Sequence, residues 1–157
     1  MKTLFIVIGK TVDQHLELLI QEYVRRISHY IPFEIEVIPD LKNTKNLSFE
    51  QQKKREGELL LKVLCPTDTL VLLDEHGKEF RSVEFARYMT NKLSNTSRRL
   101  VFVIGGAYGF DQKIYDLAHE KISLSKMTFS HQMIRLLFVE QLYRAMTIIK
   151  GEPYHHE

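Results

Sequence analysis

The chain has too little of several things to belong to a number of familiar protein classes. It holds one cysteine, Cys65, so an intrachain disulfide is impossible, and a reducing, cytoplasmic setting is the expectation. Cys65 precedes Pro66 without a neighbouring cationic pattern, which reads as a plain thiol rather than a nucleophile. The seven histidines show no zinc-type spacing, alone or with that cysteine, so no metal site is expected. No apolar run reaches the ~18 residues of a membrane span. The longest apolar segment, residues 133–149, is interrupted by Arg135, Glu140, Gln141 and Arg144. The opening "MKTLFIVIGK" is too short for a signal-peptide core. Charge of one sign is also scarce: the net charge is +2 and the pI about 8.6. Dedicated non-specific nucleic-acid binders are far more basic, so any RNA contact would need a local patch, a second copy of the chain, or recognition by shape.

What remains is a globular composition, 44% hydrophobic and 27% charged over 157 residues, enough for one domain with a sizeable core. Strand-like and helix-like segments alternate. "TLFIVIG" is a short apolar run closed by Gly9. Residues 13–29 place Leu16, Leu19, Ile20, Tyr23, Val24 and Ile27 at helical spacing, and Pro32 ends that region. "FEIEVIPD" alternates strictly, as a half-exposed strand does. Ser48 is placed to cap a helix running to about Leu64. "DTLVLLDE" is a strand with an apolar middle, followed by a turn at Gly77, and Ser82 is placed to cap the next helix. "RRLVFVIGG" and "EKISLS" are further strands, with a short helix over residues 112–117 between them. The last helix spans about residues 130–149 and stops at Gly151. This order predicts an α/β domain: a parallel sheet with helices on both faces and a single core.

Open parallel sheets bind ligands at the carboxyl ends of their strands, and several chemistry-bearing stretches fall there. In "FVIGGAYGF" the glycines suit either a close backbone approach to a ligand or a plain tight turn. Their G-G-x-x-G spacing is not the dinucleotide fingerprint, and no acidic residue follows at the distance a nicotinamide site needs. In "LLDEHGK", Asp74 and Glu75 could pair as acid and base or be a solvated strand end. "LSKMTFSHQM" is a strand-to-helix junction with no Gly or Pro. Thr128 or Ser130 could cap the helix, and His131 would sit in its first turn, where an imidazole is held neutral or is simply structural. In the tail, Glu140 and Arg144 are one helical turn apart, and Tyr154, His155 and His156 follow a Gly and a Pro. His155 could accept a proton near neutral pH, and Tyr154 could stack on a base.

Taken together, "EYVRRI", "KREGE", "LDEHGK", "FVIGGAYG", "SLSKMTFSHQMIRLLFVEQLYRA" and the closing "YHHE" carry a resemblance that spans essentially the whole chain. The sequence resembles the small bacterial methyltransferases of the SPOUT superfamily that act on N3 of a pseudouridine in large-subunit (23S) ribosomal RNA. The resemblance implies an α/β domain whose C-terminal part, about residues 98–157, is a deep trefoil knot. It implies that the knot loops wrap S-adenosylmethionine, with Leu73, Gly105, Leu124, Ser125, Lys126, Met127, Thr128 and Phe129 at the matching positions. It implies a homodimer joined through the knot helices, which would explain the nearly all-round apolar helix 131–149, and a substrate that is the assembled ribosome. The N3 proton must leave as the nitrogen attacks the methyl carbon, so a base is needed. His155 is the first candidate and His131 the second, with Tyr154 positioning the base and Arg144 holding a phosphate or the developing ring anion. Lys53, Lys54, Arg55, Arg98 and Arg99 are possible phosphate contacts or a solvated surface. The alternatives are a non-catalytic ribosome-associated factor that binds the same cofactor, and a knot-type methyltransferase of transfer RNA. Short length and the lack of an added RNA-binding domain speak against the latter.

Overall fold

The computed structural model describes residues 2–96, 98–106 and 108–156. Its elements alternate as expected: β1 (Lys2–Ile8), α1 (Gln14–Ser28), β2 (Phe33–Ile38), α2 (Phe49–Val63), β3 (Thr69–Glu79), α3 (Ser82–Asn95), β4 (Arg99–Ile104), α4 (Gln112–Leu117), β5 (Glu120–Ser123) and α5 (Met133–Ile149). The strands form one five-stranded sheet in the order β2-β1-β4-β3-β5, and every pairing is parallel. Alternate strand residues point to opposite faces. Phe5, Val7, Val71, Leu73, Leu100 and Phe102 pack with α1, α3 and α5. Leu4, Ile6, Leu70, Leu72, Val101 and Val103 pack with α2 and α4. Connections running toward β2 use the first face and those running toward β5 use the second, so every crossover has the same hand, as parallel sheets require.

Caps set the helix starts. The Asp13 carboxylate accepts from the backbone N–H groups of His15 and Leu16 at 2.8 and 3.1 Å. Ser48 and Gln51 form a reciprocal capping box. Helix α3 departs from expectation by one residue. Its cap is Arg81, whose N–H donates to Glu84 Oε1, and Ser82 is inside the helix with its hydroxyl donating to Gln141. Helix α5 begins later than its sequence suggests. The segment before it enters through Ser130, whose Oγ accepts from Met133 N and whose carbonyl accepts from Ile134 N.

Helix α5 lies on the sheet between α1 and α3. Phe138 is fully buried, its ring 4.6 Å from Phe5 and 4.9 Å from Phe102. Two flanking helices and the sheet consume most of its apolar surface, leaving Met133 and Ile149 as its exposed large hydrophobics. Much of its near-uniform apolar character is thus met within the chain, while Ile134, Leu136, Leu137 and Ile148 are only half-buried.

Strand β3 holds a second departure. The expected turn at Gly77 is part of an excursion inside the strand: Ile122 of β5 is in register with Leu73 and again with Lys78. A parallel neighbour advances one residue per residue, so returning to the same partner means that residues 74–77 bulge out of the ladder. Gly77 makes the close return possible, because a Cβ there would lie 2.6 Å from the backbone N and C of Ile122.

Candidate active site

The carboxyl ends of β3, β4 and β5 open into one cavity of about 580 Å³, closed on its far side by residues 124–131. That is within the usual range for a small-molecule or cofactor site. Leu73, Gly105, Leu124, Ser125, Met127, Thr128 and Phe129, all singled out from sequence, line it. Lys126 does not. Its side chain is 87% exposed and its ammonium approaches Glu79 at 3.9 Å. The junction needs no Gly or Pro because hydroxyls bend it: Ser123 Oγ donates to Ser125 O, and Ser125 Oγ accepts from Met127 N, both at 2.9 Å.

The glycine turn after β4 meets the cavity on one side and α2 on the other. A Cβ on Gly106 would be 2.7 Å from the carboxylate oxygens of Glu56. Glu56 is buried, and burial holds its carboxyl above the ordinary value, opposed by a hydrogen bond from Gln52 and reinforced by Asp40. On the β3 side, Asp74 Oδ1 accepts from His76 N at 2.8 Å, and Asp74 Oδ2 accepts from the Tyr115 hydroxyl. Burial, then the bond to Asp74, pushes the Tyr115 phenol up to about 12. Asp74 and Tyr115 both line the cavity. Tyr115 escaped sequence reading, since nothing in the six residues of α4 marks which one turns toward the β3 end.

Of the candidate bases, His131 lines the cavity and His155 does not. His155 belongs to a second cluster, built where the tail folds back on α1 and α5. Arg144 donates to Glu140 Oε1 at 2.7 Å and to His155 Nδ1 at 3.1 Å. Tyr154 donates to the same Glu140 oxygen at 3.0 Å, and its hydroxyl is 3.2 Å from that of Tyr23. The Arg144 guanidinium also lies over the Tyr154 ring, 4.7 Å from its centroid. Burial first, then Tyr23 and Glu140, hold the Tyr154 phenol above its usual value. Tyr154 and His155 are thus half-buried against the helices, while residues 151–153 and His156 are exposed. Arg144 is about 15 Å along α5 from Ile134, which borders the cavity, at 1.5 Å of rise per residue.

The basic residues divide in the same way. Arg99 is committed to Asp68 by two bonds of 2.8 and 2.7 Å and to Val63 O, so it is a structural cation. Lys53 pairs with Glu50, whereas Lys54 and Arg55 are exposed. Arg135 is 2% exposed and donates to the backbone carbonyls of Ile8, Gly9 and His131 and to the Thr11 hydroxyl, tying the cavity end of α5 to the end of β1. Among the described residues no group of three or more His, Cys, Asp or Glu could hold a metal ion, and no helix is long and apolar enough to cross a membrane.

Known proteins match this chain over its whole length. A family profile described as a predicted SPOUT methyltransferase matches residues 1–155. A relative from Bacteroides fragilis is 68% identical over 157 residues, all of both chains. One from Phocaeicola vulgatus is 66% identical over the same full length, and one from Flavobacterium johnsoniae is 57% identical over 152 residues, 97% of each chain. All are named ribosomal RNA large subunit methyltransferase H.

Proposed function

The chain belongs to the SPOUT methyltransferase family, within the group named ribosomal RNA large subunit methyltransferase H, and from that membership we propose that it methylates N3 of a pseudouridine in 23S ribosomal RNA, on the assembled ribosome, using S-adenosylmethionine. The observation that carries this reading is the cavity itself. The positions matched to cofactor binding come from two strand ends and one junction, yet all but Lys126 surround one space.

The lining fits the cofactor by its chemistry. Leu73, Ile104, Leu124 and Phe129 offer apolar faces to an adenine. Strand-end amides, Ser125 and Thr128 offer polar partners, and Asp74 offers a carboxylate to a cation. When bound, S-adenosylmethionine supplies an already activated methyl group. The protein's task is then to orient the acceptor nitrogen in line and to take its proton. In the packed tail, Arg144 is a donor only, so His155 Nδ1 accepts from it and its lone pair is engaged. We assign His155 the proton-accepting role once the tail meets RNA and that bond is exchanged, with Tyr154 positioning the ring and Arg144 freed to meet a phosphate or the developing ring anion. His131, at the cavity wall, is the second candidate.

The reading includes a homodimer. Gln132 links its side chain to Val12 N and Lys10 O at 2.8 and 3.1 Å, which sets Val12, 82% exposed, near Met133, 43% exposed, at the cavity end of α5. Such an apolar patch suits a second copy, which could bring its own tail to this cavity. The reading also includes the C-terminal knot that the resemblance implies.

The test is methyl transfer from labelled S-adenosylmethionine to ribosomes from cells lacking the gene, comparing intact ribosomes, separated subunits and naked ribosomal RNA, with the label mapped to a nucleotide. Label at one pseudouridine, and only in intact ribosomes, is the expected result. Label elsewhere, or none despite cofactor binding, would overturn the assignment.

A further inference from the structure

The titratable side chains lining the cavity are Asp74, Glu75, His76 and Tyr115 on the β3 side, with Tyr108 and His131 besides; no Lys or Arg lines the cavity among the described residues. Glu75 and His76 lie at the rim, with side chains 61% and 80% exposed, and face each other at 3.6 Å. Asp74 is held differently. One oxygen accepts the His76 amide and the other the Tyr115 hydroxyl. Both donors are neutral, so they fix the carboxylate in place without cancelling its charge. An ionised carboxylate accepts about four hydrogen bonds, so acceptor capacity remains on both oxygens. The nearby ammonium groups do not line the cavity: Lys121 lies over the Tyr115 ring, 5.4 Å from its centroid, and Lys126 turns toward Glu79.

A fixed, partly shielded carboxylate without a cationic partner on its wall is a charge detector. We propose that Asp74, held by Tyr115, selects the charged methyl donor over its spent product. This rests on the cofactor reading above. The donor carries a sulfonium and an ammonium against one carboxylate. When the carbon–sulfur bond breaks, its electron pair stays on sulfur, the methyl joins the acceptor nitrogen, and the product is a neutral thioether with one positive charge fewer. The attraction to Asp74 falls at that moment, while the apolar contacts to the adenosyl part are unchanged. The wall therefore favours loading of the donor and release of the product, a specificity role distinct from proton removal.

The experiment is calorimetric titration of wild-type protein and of Asp74→Asn, Asp74→Glu and Tyr115→Phe with three compounds: S-adenosylmethionine, S-adenosylhomocysteine, and the analogue carrying an amine in place of the sulfonium methyl. Asp74→Asn is expected to weaken binding of both cationic compounds about tenfold, on the scale of one partly screened charge pair, and to leave the thioether within about twofold. Asp74→Glu should keep most of the preference, and Tyr115→Phe should lose part of it. Parallel weakening of all three compounds, or no weakening, would overturn the proposal and leave Asp74 as a fastener of residues 74–77. Should Asp74→Asn fail to fold, the same comparison in Tyr115→Phe decides. A wild-type protein that bound none of the three would overturn the cofactor reading itself, which is a separate and recognisable failure.

Discussion

Gly77 lies against the backbone of Ile122 so closely that a methyl group at its Cα would sit 2.6 Å from two main-chain atoms of β5. A backbone cannot swing aside as the end of a flexible side chain can. Gly77→Ala must therefore lift residues 74–77 off β5, and with them Asp74. Overpacking of this kind costs about 1–3 kcal/mol, which for a chain of this size lowers Tm by roughly 2–4 °C per kcal/mol. A thermal melt reads the loss, and titration with S-adenosylmethionine should show weaker binding in the same variant. An unchanged melt would mean that residues 74–77 yield to the added methyl without loss of packing.

Arg135 is a buried cation whose acceptors at Ile8, Gly9, Thr11 and His131 are all neutral oxygens. Burial acts to lower its pKa, but a guanidinium keeps its charge, so the fork must stay fully bonded. Arg135→Met would remove the charge and strand several buried carbonyls, each costing about 1–3 kcal/mol. Arg135→Lys would keep the charge but could not span the same set of acceptors. Urea denaturation should place both variants below wild type, with the midpoint for Met the lower.

Glu56 yields a prediction with a definite sign in pH. Its folded-state pKa is raised, chiefly by burial, so the folded protein holds the proton over a pH range in which the unfolded chain has released it. Stability then falls as pH rises from the ordinary Glu range through the raised value, and at neutral pH the buried carboxylate is a net cost. Glu56→Gln keeps the shape beside Gly106 and removes that cost. It should raise stability and Tm at pH 7, and the gain should vanish as pH falls below the ordinary Glu range. A gain that persisted unchanged at pH 4 would contradict the linkage.

The fold was legible because local and global signals agree. The runs "TLFIVIG" and "LVFVIG" are apolar on both faces because both faces of the sheet are covered, and the caps at Asp13 and Ser48 bond as their residue types suggest. Two features were not legible. The second half of β3 has no local mark, since residues 78–79 are strand only because β5 presents them an edge. The cost of the late α5 start is met by the Ser130 hydroxyl, which sequence reading foresaw as a cap but placed at a longer helix. For the site, the carboxyl-end rule and the resemblance found most of the lining. Tyr115 and Arg135 were missed because each acts across the fold, on Asp74 and on β1, where spacing along the chain carries no signal.

His131 borders the cavity and His155 lies outside it, so two substitutions test which of them takes the proton. His155 lies outside the cavity, bonded to Arg144, so His155→Ala should leave the dissociation constant for S-adenosylmethionine within about twofold. If His155 takes the N3 proton, turnover on ribosomes should fall by about 10²–10⁴, the range general-base catalysis supplies. His131 borders the cavity, so His131→Ala should change cofactor affinity first and turnover through it. Full turnover in His155→Ala together with loss in His131→Ala at saturating cofactor would move the base to the cavity wall. The tail would then be left as packing for α5, held by Glu140 and Arg144.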